Sequence, residues 1–212
     1  MLIFGFGYKA RSGKDTAVKN IVDAFKDRVD VRRYAFADEL KREFVEAAKE
    51  AGGTWELFNQ MKVTHKLPDW VQYDFAAPKD DPICGEYGKH RTLLQWWGTE
   101  YRRKQDPMYW VRKLGLTLEK EAPAFALISD MRFPNEGAFI KLFGGYTVKV
   151  TRTGLVQESD HPSEHLLDGF EFDFELFNDG KDAEGFRKVC TAFFQWVLDN
   201  YEYVPTPVER IN

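Results

Sequence analysis

The chain opens Met1-Leu2-Ile3-Phe4-Gly5-Phe6-Gly7 and runs straight into Tyr8-Lys9-Ala10-Arg11-Ser12-Gly13-Lys14-Asp15-Thr16. A buried strand over residues 1 to 6, a glycine-bearing loop and a helix start follow one another, the order in which backbone N–H groups at a helix N-terminus cradle phosphate. The helix is expected from Asp15 to Lys26, with Ala17, Val18, Ile21, Val22 and Phe25 on one face. Ala10, Arg11, Ser12, Gly13 and Lys14 supply the tight turn, the inward amides and a lysine for the outer phosphates. Two letters depart from the usual formula: Tyr8 stands where glycine is expected, and Asp15 where serine or threonine is expected. If position 8 has positive φ, the strain is on the order of 1–3 kcal/mol. Asp15 either faces Mg²⁺, directly or through water, or simply caps the helix. Thr16 restores the hydroxyl one residue late, about 100° around the helix.

With 212 residues, 43% hydrophobic and 30% charged, the chain suits one soluble domain carrying a small insertion. A formal net charge of −4 argues against a basic face that holds nucleic acid, while leaving room for a cationic pocket around an anionic small molecule. Cys84 and Cys190 form no C-x-x-C pair, so neither a disulfide framework nor a zinc site is expected, and a reducing compartment fits. No apolar run reaches the roughly 18 residues of a membrane helix. The expected location is cytoplasmic, with no membrane partner.

A second strand is expected around Val31 to Phe36, followed by a charged amphipathic helix from Glu39 to Lys49 that Gly52-Gly53 ends. Trp55 to Lys89 reads as the least regular stretch. Helices are expected over Arg91 to Tyr101 and Pro107 to Lys120, ahead of the apolar strand Phe125-Ala126-Leu127-Ile128. Pro134 can begin a short helix that Gly144-Gly145 closes, with a strand from Tyr146 to Val150. Phe170 to Phe177 alternates like an edge strand, Asn178-Asp179-Gly180 turns, and residues 182 to 200 form a terminal helix.

Asp130 ends an apolar strand, where a second carboxylate can hold a metal's water shell; otherwise it caps the following helix. Arg132 can reach a transferring phosphate or pair with Glu136. Arg91 and Gln95, four apart, share a helix face, so one can meet a phosphate and the other a base edge. Trp96, Trp97 and Trp110 either stack on a base or pack in the core. Arg152 lies in a lid-like segment at about 151–167, where it can either close over the phosphates or serve as a surface ion-pair partner. His161 and His165 have zinc-like spacing but no third ligand.

Four strings together resemble the phage-type deoxynucleoside monophosphate kinases: Lys9 to Thr16 with its Gly-Lys-Asp-Thr ending, Phe36-Ala37-Asp38-Glu39-Leu40-Lys41, Arg91 to Glu100 with Arg102 and Trp110, and Ser129 to Glu136. They occur in the family's order, and the resemblance runs to about residue 180; Tyr8 departs from the family's glycine. It implies a three-layer α/β P-loop NTPase fold, like that of nucleoside monophosphate kinases, with a mostly parallel sheet. Residues 1–212 would form one kinase domain with a substrate-binding insertion at about 52–120. The implied reaction passes the ATP γ-phosphate to a deoxynucleoside 5′-monophosphate with Mg²⁺ as cofactor. Lys9, Asp38, Lys41, Arg91, Gln95, Arg102 and Trp110 would serve the acceptor, and Ala10 to Thr16 the ATP phosphates. Lys14, Arg132 and Arg152 would be catalytic, and Asp15, Thr16 and Asp130 would serve the metal. A homodimer is compatible with the resemblance, and a phage-encoded protein would work in the host cytoplasm. The rival readings are another small-molecule kinase, such as a phosphomevalonate kinase, and a nucleotide-binding module without turnover.

Overall fold

Alternation in the first strand sets the layers of the sheet. In the computed structural model, which describes residues 1–155 and 165–201, β1 (Leu2–Gly7) carries phenylalanine and glycine in turn. Successive strand residues face opposite sides. Phe4 and Phe6 are fully buried with Ala17, Val18 and Ile21 of α1 (Lys14–Phe25) and with Cys190, Phe194 and Val197 of α7 (Ala183–Asn200). Gly5 faces the other side, where an added Cβ would lie 2.2 Å from Ile140 Cδ1 of α6 (Pro134–Leu142). Burying each phenylalanine contributes roughly 1.5–3 kcal/mol.

The sheet adds β2 (Val31–Tyr34), β3 (Phe125–Met131), β4 (Tyr146–Arg152) and β5 (Phe174–Asn178). Their order is β2-β3-β1-β4-β5, and every pairing is parallel. Helices α1 and α7 lie on one face and α6 on the other, giving the three-layer α/β arrangement. The chain leaves β1 through α1 and leaves β3 through α6, toward opposite faces. The ends of these two strands are therefore a topological switch point, where open α/β sheets place their ligands.

The described chain divides into two compact units: Met1–Ala35 with the chain from Leu116 onward, and Phe36–Gly115. The second unit contains α2 (Phe36–Ala51), α3 (Thr54–His65), α4 (Arg91–Trp96) and the first half of α5 (Tyr109–Glu121). Helix α2 starts at Phe36, directly after β2, so Asp38 sits in its first turn rather than in a connecting loop. Helix α3 occupies part of the stretch read as irregular. Only Leu57, Phe58 and Met61 of α3 are buried, while Trp55 and Val63 are exposed, and that scatter hides the helical period. Helix α4 continues as a π-helical turn, Trp97–Arg103. At Gly98 in this turn an added Cβ would come 2.9 Å from Leu40 Cδ2, and the Gly98 carbonyl accepts a 3.0 Å bond from Trp110 Nε1. No helix of the described residues is long and apolar enough to cross a membrane.

Candidate active site

The loop between β1 and α1 is shaped by three left-handed residues: Tyr8 (φ 101°), Arg11 (φ 58°) and Gly13 (φ 107°). Tyr8 thus holds the conformation that the formula assigns to glycine. Its ring meets Phe172 edge-on with centroids 6.4 Å apart, and Lys149 Nζ lies 4.6 Å from its centroid. Lys14 is buried, and its ammonium donates to the carbonyls of Tyr8 and Lys9 in the loop. Ser12 is 1% exposed, and its Oγ has no hydrogen-bond partner among the described residues. An orphaned buried hydroxyl costs about 1–3 kcal/mol unless something meets it.

The exit of β5 braces the same loop. Asn178 Nδ2 donates to Ser12 O at 3.1 Å, and its Oδ1 accepts from the Gly180 N–H at 3.0 Å. A Cβ on Gly13 would lie 2.7 Å from Asn178 Nδ2, so any other residue would have to displace that amide as well as hold a strained φ of 107°. The Arg152 guanidinium reaches the carbonyls of Arg11 and Gly180, each at 3.4 Å. Lys9 forms an ion pair with Asp168, whose other oxygen faces His165 Nδ1 at 3.1 Å. The Lys9 hydrogen bond, with one from His165, holds the Asp168 carboxyl below its ordinary range.

At the start of α1 the Asp15 side chain is 78% exposed and makes no capping bond to the helix backbone. Its Oδ1 instead accepts a 2.8 Å hydrogen bond from Ser129 Oγ, and Arg33 lies 4.0 Å away. Ser129 is fully buried near the end of β3. Thr16 is exposed, and Asp130 is half-buried in β3. The N–H groups of Arg132 and Phe133 donate to Glu136 Oε2 at 2.7 and 3.0 Å, so Glu136 secures the start of α6. No cluster of three or more histidine, cysteine, aspartate or glutamate residues suited to a metal occurs among the described residues.

The second unit holds a separate group of charges. Lys41 Nζ is 2.9 Å from Asp81 and 3.8 Å from Asp38. Burial alone would raise the Asp81 pKa, but Lys41 and the N–H groups of Cys84 and Ile83 bring it down to about 2. Glu43 on α2 accepts from Trp97 Nε1 (2.9 Å), Arg102 Nε (2.7 Å), Tyr109 Oη (2.5 Å) and Lys113 Nζ (3.0 Å). Arg91 is exposed and Gln95 half-buried on α4, while Trp96, Trp97 and Trp110 are all buried.

No protein-family profile matches the chain. A provisionally named deoxynucleotide monophosphate kinase of Acanthamoeba polyphaga mimivirus is 30% identical over 209 residues, covering 91% of this chain and 96% of that protein. The chain belongs to the phage-type deoxynucleoside monophosphate kinase family. The deoxynucleoside-5′-monophosphate kinase of Escherichia phage T5 is 26% identical over 223 residues, 84% of this chain and 89% of its own length.

In this family member the predicted site residues fall into two groups. Lys9 to Thr16, Asp130, Arg132 and Arg152 lie in the first unit, whereas Asp38, Lys41, Arg91, Gln95, Arg102 and Trp110 lie in the second. The carboxylate of Asp15 meets a hydroxyl that the motif gave no reason to single out, since Ser129 lies 114 residues away. Asn178 reads in the sequence only as a turn residue, and Glu43 only as one acid on a charged helix. Most of the lid-like segment, residues 156–164 and with them His161, lies outside the described residues.

Proposed function

We propose that this kinase transfers the γ-phosphate of ATP to a deoxynucleoside 5′-monophosphate, giving ADP and the deoxynucleoside diphosphate. The loop carries this reading: the buried Ser12 hydroxyl without a partner and the Lys14 ammonium on the loop carbonyls lie in a left-handed turn between β1 and α1. Donor phosphate oxygens would accept from the loop amides of Ala10 to Thr16 and from Ser12, and would replace carbonyl oxygens as partners of Lys14. Lys9 and Arg11 add positive charge there.

Asp15, with its exposed carboxylate oriented by Ser129, fits a hard cation, because Mg²⁺ takes one or two carboxylates beside phosphate oxygens rather than a complete protein cage. Asp15, Thr16 and Asp130 would hold it. The ion supplies charge neutralisation on the phosphates. Arg132 and Arg152 stabilise the charge that spreads over the transferring group. Lys41, Arg91 and Arg102 meet the acceptor phosphate and Gln95 a base edge, while Asp38 and Trp110 support that group from α2 and α5. In this reading residues 52–120 serve the acceptor and 151–167 act as a lid.

The test is incubation with Mg-ATP and each of the four common deoxynucleoside monophosphates, AMP or phosphomevalonate, measuring ADP and phosphorylated acceptor. Deoxynucleoside diphosphate formation supports the proposal. Turnover of phosphomevalonate alone identifies a different small-molecule kinase, and ATP binding with no product identifies a nucleotide-binding module.

A further inference from the structure

Four donors converge on one carboxylate in the second unit, and two of them stand at a separation that α-helical spacing alone would not bring together. Trp97 and Arg102 are five residues apart, which an ordinary α-helix would place about 140° from each other. The π-helical turn Trp97–Arg103 brings both round to Glu43 Oε1. Tyr109 and Lys113, four apart on α5, take Glu43 Oε2. The Glu43 side chain is only 12% exposed, so its charge is held inside this ring of donors. Burial would push its carboxyl up, but Tyr109, Trp97, Lys113 and Arg102 together hold it below its ordinary range.

The consequence falls on Arg102. Its guanidinium carbon lies 4.7 Å from the ring centroid of Tyr101 and 4.9 Å from that of Tyr109. It bonds to Glu43 through Nε, and no hydrogen bond among the described residues engages its two terminal nitrogens. A guanidinium fixed at Nε and over two rings presents those nitrogens as a ready fork, the geometry that bidentate phosphate recognition uses. One carboxylate facing Arg102 and Lys113 leaves the cluster with one net positive charge. An anion is favoured beside it.

We propose that Glu43 is a positioning residue that holds the Arg102 fork ready for the acceptor's phosphate. This rests on the reading of the protein as a deoxynucleotide kinase. Glu43 touches no reacting atom; it acts through Arg102, and the rings of Tyr101 and Tyr109 restrict the guanidinium before substrate arrives. Losing that restraint raises the ordering cost of acceptor binding and leaves donor binding alone.

The test measures KM for acceptor and for ATP in wild type, Glu43→Gln, Arg102→Ala and the double variant, with the deoxynucleoside monophosphate the wild type prefers. Glu43→Gln is expected to raise acceptor KM about tenfold and leave ATP KM within twofold. In the Arg102→Ala background the same change should add less than twofold, because the residue it acts through is gone. An equal factor in both backgrounds would mean a general structural role and overturn the proposal, as would an unchanged acceptor KM in Glu43→Gln. Arg102→Lys covers the case in which Glu43→Gln does not fold. A lysine keeps the charge but lacks the fork, so acceptor KM should rise about tenfold, and wild-type behaviour would overturn the proposal. Calorimetric titration of wild type with the deoxynucleoside monophosphates separates the two levels. Acceptor binding together with an unresponsive Glu43→Gln removes this inference alone, whereas no binding or transfer with any of them removes the kinase reading and the inference with it.

Discussion

Replacing Tyr8 by alanine and, separately, by glycine isolates the backbone strain in the phosphate loop. Both changes delete the same side-chain contacts: the edge-on ring of Phe172 and the ammonium groups of Lys149 and Lys9, the latter 5.1 Å from the Tyr8 centroid. The ring pair is worth about 0.5–1.5 kcal/mol and each ammonium about 0.5–1 kcal/mol, so alanine should destabilise the protein by about 1.5–3.5 kcal/mol. The two variants differ only in the backbone. At an ordinary position alanine is more stable than glycine by about 0.4–1 kcal/mol, because glycine has more unfolded freedom to lose. At φ 101° the order should invert, since alanine keeps a strain of about 1–3 kcal/mol that glycine releases. The net expectation is a glycine variant more stable than the alanine variant by about 0.5–2 kcal/mol and correspondingly nearer to wild type. Urea denaturation of the three proteins, compared by midpoint at a common slope, reads this difference. An alanine variant as stable as glycine, or more so, would show that position 8 carries no such strain.

Lys14→Ala should abolish phosphoryl transfer while leaving the far-UV circular dichroism and the melting temperature close to wild type, because the ammonium's loop partners are carbonyls that water can satisfy; retained turnover contradicts the assignment of the loop. Ser129→Ala removes the donor that orients Asp15, at about 1 kcal/mol. The Mg²⁺ concentration for half-maximal nucleotide binding, followed by calorimetry, should rise roughly fivefold, and an unchanged value would detach Asp15 from the metal. Asp81 has its pKa lowered to about 2 in the folded protein. Its contribution, about 2 kcal/mol, is complete above about pH 4 and is lost as pH falls through about 2. Asp81→Asn should therefore lower stability at pH 7 and flatten its fall between pH 4 and 2; a parallel fall in both proteins refutes the assignment.

The strand, loop and first helix were legible because each has a local cause: the phenylalanine–glycine alternation of β1, the glycine at position 13, and the apolar face of α1. Tyr8 was legible as a departure, and its left-handed φ follows from the place it occupies. Helix α3 was not legible, since Trp55 and Val63 face solvent and blur its period. Other parts of the site depend on long-range pairings that no window of sequence contains. Ser129 meets Asp15, and Asn178 meets Ser12, across most of the chain. Glu43 looks no different from Glu39 or Glu46 in the same helix. Its partners are supplied by a π-helical turn and by α5, and a wide turn leaves no mark in apolar periodicity.

The sheet order also dictates a timetable for synthesis. Strand β1 leaves the ribosome before the other strands of the sheet, yet both of its neighbours, β3 and β4, begin only at Phe125 and Tyr146. At about 5–20 residues per second, Phe4 and Phe6 wait roughly six to twenty-four seconds before the first strand that can cover their backbone exists. The nascent chain therefore carries an apolar, hydrogen-bond-hungry segment for that whole interval. Ribosome-bound holdases that grip short aromatic segments have a natural client in Leu2–Gly7, and final assembly of the sheet awaits Phe174–Asn178.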